Sequence, residues 1–77
     1  MSFRDQILLY LYFHGEARLG RLMKEFRVDE DDLLSVLRPM ELEGLISKKL
    51  KGVLKKETFY TLTEKGILEA RKIDDSL

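Results

Sequence analysis

The chain has 77 residues, enough for one domain and too few for a second. Hydrophobic residues make up 44% and charged residues 36%, a composition typical of a folded globular domain and not of a disordered chain. Cysteine is absent and the formal net charge is zero, which excludes disulfides, thiolate metal sites and an overall basic charge that would by itself indicate nucleic-acid binding. We therefore expect one domain over residues 1–77, with its core over about residues 5–72, in the cytoplasm. The longest apolar run, residues 7–13, is far shorter than the roughly 20 residues of a membrane helix.

The first predicted element is a helix over "SFRDQILLYLYFHG". Ser2 is a plausible N-cap, Asp5 lies in the first turn, and Gly15 follows the last residue. Apolar residues occupy nearly the whole circumference of this helix, so one side needs a second partner. That partner is either the last helix of the chain, through Ile67 and Leu68, or a second copy of the protein. The candidate dimer residues are Leu9, Tyr12 and Phe13.

Two further helices are predicted by apolar residues at helical spacing. Residues 19, 22, 23 and 26 are apolar and indicate a helix over about residues 20–27. In the next helix, Asp29 or Glu30 lies near the N-cap, residues 33, 37 and 40 face the core, and Gly44 ends the helix. Pro39 interrupts the hydrogen bonding of this helix, so we expect a kink or a break near Arg38, or a local widening without functional meaning.

After Gly44 the hydrophobic period changes from that of a helix to that of a strand. The segment "LISKKLKGVLKKETFYTLT" predicts two strands joined through Lys51-Gly52 and its neighbours, and "ARL" is a candidate third strand. A fourth helix, "TEKGILEARKI", is predicted to be capped by Thr63. Residues 74–77 are expected to form a frayed tail.

The order helix, helix, helix, hairpin, helix is that of a helix-turn-helix followed by a wing. The segment "LGRLMKEFRVDEDDLLSVLRPMELEGLISKKL" resembles the winged helix-turn-helix core of MarR-like and PadR-like transcription regulators. "FYTLTEKGILEA" is similar to the family's Tyr-x-Leu-Thr-x-x-Gly pattern. The resemblance implies a mainly α fold with a small β-hairpin, and a transcription regulator that binds double-stranded DNA as a homodimer. The residues that carry it are Leu22, Phe26, Val28, Leu33, Leu37, Met40, Gly44, Leu45, Ile46, Tyr60, Leu62, Thr63 and Gly66.

Members of that family read the major groove with the third helix and contact the backbone or the minor groove with the wing. Residues 45–57 hold five lysines and one acid, whereas residues 1–44 hold six basic and nine acidic side chains. Lysines on edge strands also prevent aggregation, but five exceed that need. If all five met phosphates, the slope of log K against log salt would be roughly −4 to −5. The predicted DNA-binding residues are Arg18, Arg21, Ser35, Arg38, Lys48, Lys49, Lys51, Lys55 and Lys56, although Arg18 and Arg21 also fit a solvated surface.

Residues 29–32 are four consecutive acids. Asp31 and Asp32 depart from the family pattern, which usually has small hydroxyl or basic residues at these positions, and their carboxylates repel phosphate. They can be capping and surface residues, since acids at a helix N-terminus are stabilising. They can instead contact a basic protein partner, or an Asp can accept a hydrogen bond from cytosine. The alternative function is therefore a protein–protein interaction module that keeps the fold without groove reading.

The sequence contains no recognisable pattern of catalytic residues or metal ligands. His14 is the only histidine, at a helix end where we expect it to hydrogen bond to terminal carbonyls. The "DEDD" segment lacks the spacing and the central glycine of a calcium loop, and no glycine-rich phosphate loop is present. We predict no enzyme activity, no metal site and no cofactor.

Overall fold

A computed structural model describes all 77 residues. The elements in chain order are α1 (Phe3–His14), β1 (Ala17–Arg18), α2 (Leu19–Phe26), α3 (Glu30–Leu42), β2 (Ile46–Lys51), β3 (Glu57–Leu62) and α4 (Glu64–Asp75). The strands form one antiparallel sheet in the order β1-β3-β2. The predicted fold, a helix-turn-helix followed by a hairpin wing, is confirmed, and so is the short strand at "ARL".

Three helices begin at the residues that the sequence indicated, because each is capped by a side-chain oxygen. The hydroxyls of Ser2 and Thr63 accept from the backbone N–H three residues later, at 3.1 Å in both cases. Asp29 caps α3 in the same way, accepting from the N–H of Asp32 at 2.8 Å. α2 begins at Leu19, one residue before the predicted start, and ends before Arg27, which adopts a left-handed conformation with φ 55°.

The core lies between the helices and the buried side of the sheet. Its largest fully buried side chains come from α1, α2, α3 and the start of β2, and no polar side chain is buried among them. Truncating one of these leucines to alanine costs about 2–5 kcal/mol in proteins of this kind. The buried residues are Ile7, Leu8, Leu11, Ala17, Leu22, Leu33, Leu37, Met40, Leu45, Ile46, Tyr60, Gly66 and Ala70.

The turn from α3 into the wing is tied to the start of α4. Gly44 has φ 76°, and its carbonyl accepts a hydrogen bond from the Thr63 hydroxyl at 2.5 Å. The backbone of Gly66 lies so close to the carbonyl of Leu45 that a Cβ at this position would collide with it. Gly44 and Gly66 therefore allow the close approach between the start of the wing and α4, and the Thr63 hydrogen bond stabilises it.

Two expectations about helix ends are corrected. The break considered near Arg38 does not occur: α3 runs through Pro39 to Leu42, and Leu33 and Leu37 before the proline and Met40 after it are buried in the same core. α4 continues through Asp75, so half of the predicted frayed tail is helical.

Candidate nucleic-acid interface

The outward face of α3 carries the side chains that the sequence placed there. Ser35, Arg38 and Leu42 are exposed, Leu42 by 89%. The Ser35 hydroxyl donates to the carbonyl of Asp32 at 2.6 Å, so its proton is already engaged within the helix. Arg38 takes part in no ion pair, and it is the cation of this face that is free to bind a ligand.

The acidic start of α3 faces solvent. Asp29 caps the helix, and the next three acids occupy its first turn, where the helix dipole stabilises negative charge. All four are exposed, and none is paired with a basic side chain. The capping role is thus confirmed for Asp29. The other three acids leave an uncompensated negative charge at the entrance of the helix.

The five wing lysines do not form one surface. Lys48 lies 3.9 Å from Glu41 of α3, and Lys51 donates to both carboxylate oxygens of Glu16 at 2.7 Å. The remaining three lysines, Lys49, Lys55 and Lys56, are exposed and take part in no ion pair. Only these three have charges that no protein group compensates.

The strand register places the three lysines of β2 on two different faces of the sheet. Directly opposed residues of an antiparallel pair lie on the same face, so Lys49 shares a face with Phe59, and Lys51 shares it with Glu57. Lys48 and Leu50 alternate onto the other face, which is turned toward α3. A groove between α3 and this face is lined by Leu34, Arg38, Lys48, Leu50, Thr58 and Tyr60, among others.

Tyr60 lies at the floor of that groove. Burial raises the pKa of its phenol, and the nearby charge of Glu41 acts in the same direction. The positive charge of Arg38 lowers the pKa of the phenol. Arg38 of α3 lines the same groove as Lys48, Leu50 and Tyr60, so it lies beside the wing.

A second group of charges covers the opposite face of the sheet. Arg18 pairs with Glu57 at 3.3 Å, and its guanidinium lies 5.7 Å from the centre of the Phe59 ring. The Lys51 ammonium lies 5.1 Å from the same centre while it binds Glu16. Two predicted DNA-binding cations, Arg18 and Lys51, are thus already engaged with protein acids. We call Glu16, Arg18, Lys51, Glu57 and Phe59 the outer-face cluster.

The structure adds one cation that sequence reasoning missed. Arg21, Lys24 and Lys55 line one open groove between α2 and the wing. Arg21 Nε donates to the Tyr10 hydroxyl at 3.4 Å, a contact that raises the pKa of Arg21. Lys24 has no ion pair and lies three residues after Arg21 on the polar side of α2. Residues three positions apart lie on the same side of a helix, so the spacing of Arg21 and Lys24 could have predicted this cation from the sequence.

The candidate dimer residues lie on the side of α1 that adjoins α4. Leu9 and Tyr12 are half-buried, whereas Phe13 is 64% exposed and meets the Tyr12 ring edge-on at 5.2 Å between centroids. The nearby Tyr12 hydroxyl raises the pKa of Arg71 of α4, and α1 packs against α4. α4 therefore covers part of this side and leaves Phe13 open.

Other candidate chemistry is absent. No group of three potential metal ligands occurs, and none of the helices is long and apolar enough to cross a membrane. The imidazole of His14 stacks on the Tyr10 ring at 4.2 Å between centroids and makes no hydrogen bond to a helix carbonyl, so the role expected for it is wrong.

The fold and the arrangement of α3 and wing are those of winged helix-turn-helix regulators. No protein-family model and no curated protein matches the sequence. Solved structures do match it. A transcriptional regulator homologue from Pyrococcus horikoshii OT3 superposes with a TM-score of 0.86 at 23% identity, over 95% of this chain and 73% of its own.

Two further structures share the fold. ZitR of Lactococcus lactis, a zinc-responsive MarR family member, has a TM-score of 0.84 at 19% identity over 97% of this chain and 51% of its own. A mutant of MepR from a multidrug-resistant S. aureus clinical isolate has a TM-score of 0.86 at 19% identity over 99% of this chain and 56% of its own. The chain thus spans about half of ZitR and MepR. The predicted resemblance to MarR-like regulators is confirmed at the level of the fold.

Proposed function

We propose that the protein is a DNA-binding transcription regulator of the cytoplasm, in which the wing binds the phosphate backbone and α3 faces the major groove. The observation that carries the proposal is the position of the unpaired cations. Arg38 projects from α3 into the groove beside the wing. Lys49 lies on the outer face of β2, and Lys55 and Lys56 lie in the loop that follows β2. The shared fold supports the same conclusion, since regulators of this architecture are found among its structural neighbours.

The two elements contribute differently to the proposed complex. Phosphate contacts supply most of the affinity and base contacts supply the sequence preference. The exposed acids at the start of α3 repel phosphate, so this end of the helix stays clear of the backbone and the wing lysines hold the DNA. Arg38 is the residue suited to a bidentate contact with guanine, and Ser35 retains lone pairs that can accept from a base.

The paired cations can join the interface by exchanging partners. Lys48, Lys51 and Arg18 are bound to acids in exposed ion pairs, which contribute about 0–1 kcal/mol each. A phosphate can replace a carboxylate at this small cost. These three residues, with Arg21 in the α2 groove, therefore remain proposed contacts of lower strength.

A variant of the three unpaired wing lysines tests the proposal. Replacing Lys49, Lys55 and Lys56 with alanine is expected to weaken binding to a labelled duplex at least about tenfold in a fluorescence anisotropy titration, because three phosphate contacts are lost. The matched control removes three positive charges from α1 and α4, as R4A/K65A/K72A. An equal loss of affinity in both variants would show that only net charge matters and would contradict a wing interface.

A second candidate function is a protein–protein interaction module on the same fold. It is favoured by the 89% exposure of Leu42 on the same face as the unpaired Asp31 and Asp32. The D31N/D32N variant separates the two functions. If α3 approaches DNA, removing two repelling charges strengthens duplex binding. If neither the wild-type protein nor D31N/D32N binds a duplex with salt-dependent affinity, the interaction module is the better description.

A further inference from the structure

The most exposed apolar side chains of the molecule are Val53 and Leu54, which we call the wing tip. They are 98% and 101% exposed, more than any other large hydrophobic residue. Both lie in the loop of residues 52–56 that joins β2 to β3, and neither belongs to the core or packs against it. Because apolar surface is more stable away from water, two adjacent aliphatic side chains at full exposure favour a partner that covers them.

The backbone of the loop holds these side chains outward. Ladder pairing ends at Lys51 and Glu57, and Gly52 adopts φ 135°, a conformation that favours glycine. A Cβ at Gly52 would collide with the carbonyl of Lys55, so the chain turns back on itself within the loop. The wing tip lines neither of the two grooves described above. It is therefore a convex apolar surface and not the wall of a pocket.

The free charges beside the wing tip are positive. Lys55 and Lys56 follow it directly, are exposed and take part in no ion pair. Lys51 contributes no free charge, because Glu16 binds it. The nearest acid along the chain, Glu57, is itself in an ion pair. A partner that fits this loop therefore presents negative charge over an apolar interior.

We propose that the wing tip docks on an anionic lipid surface, with Val53 and Leu54 inserted among the headgroups and Lys55 and Lys56 on the lipid phosphates and carboxylates. Anionic headgroups attract lysines, and apolar side chains gain free energy at the boundary with the acyl chains. A headgroup layer gives way around a convex tip, whereas a folded protein partner needs a preformed pocket for it. The inference is independent of the proposed DNA binding, although it involves two of the same lysines.

Charge and apolar contact are both needed for docking. Each lysine near an anionic surface strengthens binding about fivefold, and each inserted aliphatic side chain strengthens it about tenfold or more. Two lysines alone, or two aliphatic side chains alone, give weak binding, whereas the four together strengthen it by on the order of a thousandfold. The protein therefore docks reversibly, and it leaves the lipid when either contribution is removed.

Flotation with lipid vesicles in the absence of DNA tests the inference. The vesicles contain phosphatidylserine and phosphatidylcholine in equal parts, or phosphatidylcholine alone. We expect the wild-type protein to float with the first kind and not with the second. V53S/L54S and K55A/K56A are expected to bind the anionic vesicles at least about tenfold more weakly, with unchanged circular dichroism spectra. The matched control L42S/L77S removes two exposed leucines elsewhere and should bind like the wild-type protein.

A tryptophan reporter detects insertion directly, because the chain contains no tryptophan. The emission of Leu54→Trp is expected to move to shorter wavelength on anionic vesicles and to be quenched by lipids with brominated acyl chains. Leu42→Trp is the control, since Leu42 is also highly exposed but lies between Glu41 and Glu43. Its emission should change in neither way.

Lipid and DNA are expected to compete for the loop. Lys55 and Lys56 cannot contact lipid and DNA phosphates at once, so anionic vesicles should release a labelled duplex from the wild-type protein. V53S/L54S keeps both lysines but loses the insertion, and the same vesicles should release far less duplex from it. This consequence rests on the proposed DNA binding, whereas the docking itself does not.

Two results overturn the inference. Equal binding of the wild-type protein and V53S/L54S to anionic vesicles would show that charge alone acts and that the wing tip does not insert. Absence of vesicle binding by the wild-type protein also overturns it, and if V53S/L54S then loses affinity for a duplex, the partner of the wing tip is DNA. The proposed function fails separately, when vesicle binding is present but no duplex is bound in a salt-dependent way.

Discussion

At the residue scale, Lys51 of the wing and Arg18 of β1 show how ion pairs with protein acids compete with DNA phosphates for a cation. Lys51 binds both oxygens of Glu16, and Arg18 binds Glu57, while both cations lie over the Phe59 ring. The outer-face cluster thus neutralises two of the nine residues predicted to bind DNA. A phosphate has to compete with Glu16 for Lys51.

Neutralising Glu16 should release Lys51. We expect Glu16→Gln to raise affinity for a duplex at low salt by about three- to tenfold and to steepen the salt slope by roughly 0.9, the increment of one phosphate contact. The measurement is an anisotropy titration at several salt concentrations. Asp75→Asn is the control, because it removes the same charge at the end of α4. Unchanged affinity in Glu16→Gln would mean that Lys51 stays outside the DNA interface.

Sequence reasoning found these cations but not their pairing. Lysine counts along the wing are local, and they predicted a basic hairpin correctly. The contact between Glu16 and Lys51 joins residues 35 positions apart and depends on β1 pairing with β3, which in turn pairs with β2. Two-residue β1 is too short for its register to be predicted from the sequence. The sequence therefore predicts five equivalent lysines, whereas the structure divides them into paired and unpaired groups.

At the scale of elements, α3 shows where local rules succeed and where packing overrides them. Its cap at Asp29 and its buried face were predicted because capping and helical spacing depend only on neighbouring residues. The predicted break at Pro39 depends on local sterics alone, about 3 kcal/mol. Burial of Leu37 and Met40 on either side of Pro39 opposes that cost, and the helix continues.

If Pro39 is tolerated at a cost, removing it should stabilise the fold. We expect Pro39→Ala to raise the free energy of unfolding by about 1–3 kcal/mol, because the N–H at position 39 can then donate to the carbonyl of Ser35. Urea titration followed by circular dichroism gives the value. Pro39→Gly restores the same N–H but has a lower helix propensity, so its gain should be about 1 kcal/mol smaller. A loss of stability in Pro39→Ala would mean that the packing of the Pro39 ring stabilises α3 and that the proline carries no net cost.

At the scale of the whole molecule, α1 and α4 leave an apolar side without a partner. Phe13 is 64% exposed, and Leu68 of α4 is 56% exposed. In a chain of this size the core supplies a thin stability margin, to which a dimer interface adds. We propose a homodimer that covers Leu9, Tyr12 and Phe13, an assignment that the sequence suggested and that the exposure of Phe13 supports.

Sedimentation velocity at tens of micromolar tests the dimer. The wild-type protein is expected to sediment as a dimer and Phe13→Asp as a monomer, because the new carboxylate would be buried without a partner. Leu54→Asp is the control, since it places the same charge on an exposed apolar residue at the wing tip. A monomeric wild-type protein at this concentration would rule out the proposed interface.

The whole molecule also explains how zero net charge is compatible with DNA binding. Its acids and bases are equal in number, but they are unevenly distributed. Residues 45–57 of the wing hold five lysines and one acid, whereas four consecutive acids without ion pairs lie at the start of α3. The extents of 42 × 24 × 21 Å describe an elongated molecule whose wing residues 48–56 are all exposed. Binding to a duplex depends on the local charge of the contacting surface and not on the net charge of the whole chain.

The slope of log K against log salt for a short duplex tests the central claim most directly. For the wild-type protein we predict a slope of about −3 or steeper, and for K49A/K55A/K56A a slope that is smaller in magnitude by roughly 2.7, at 0.9 per lost phosphate contact. These values would place most of the affinity on the three unpaired lysines of the wing. A wild-type slope near zero, or a slope that is unchanged in K49A/K55A/K56A, would contradict the claim that the wing holds DNA.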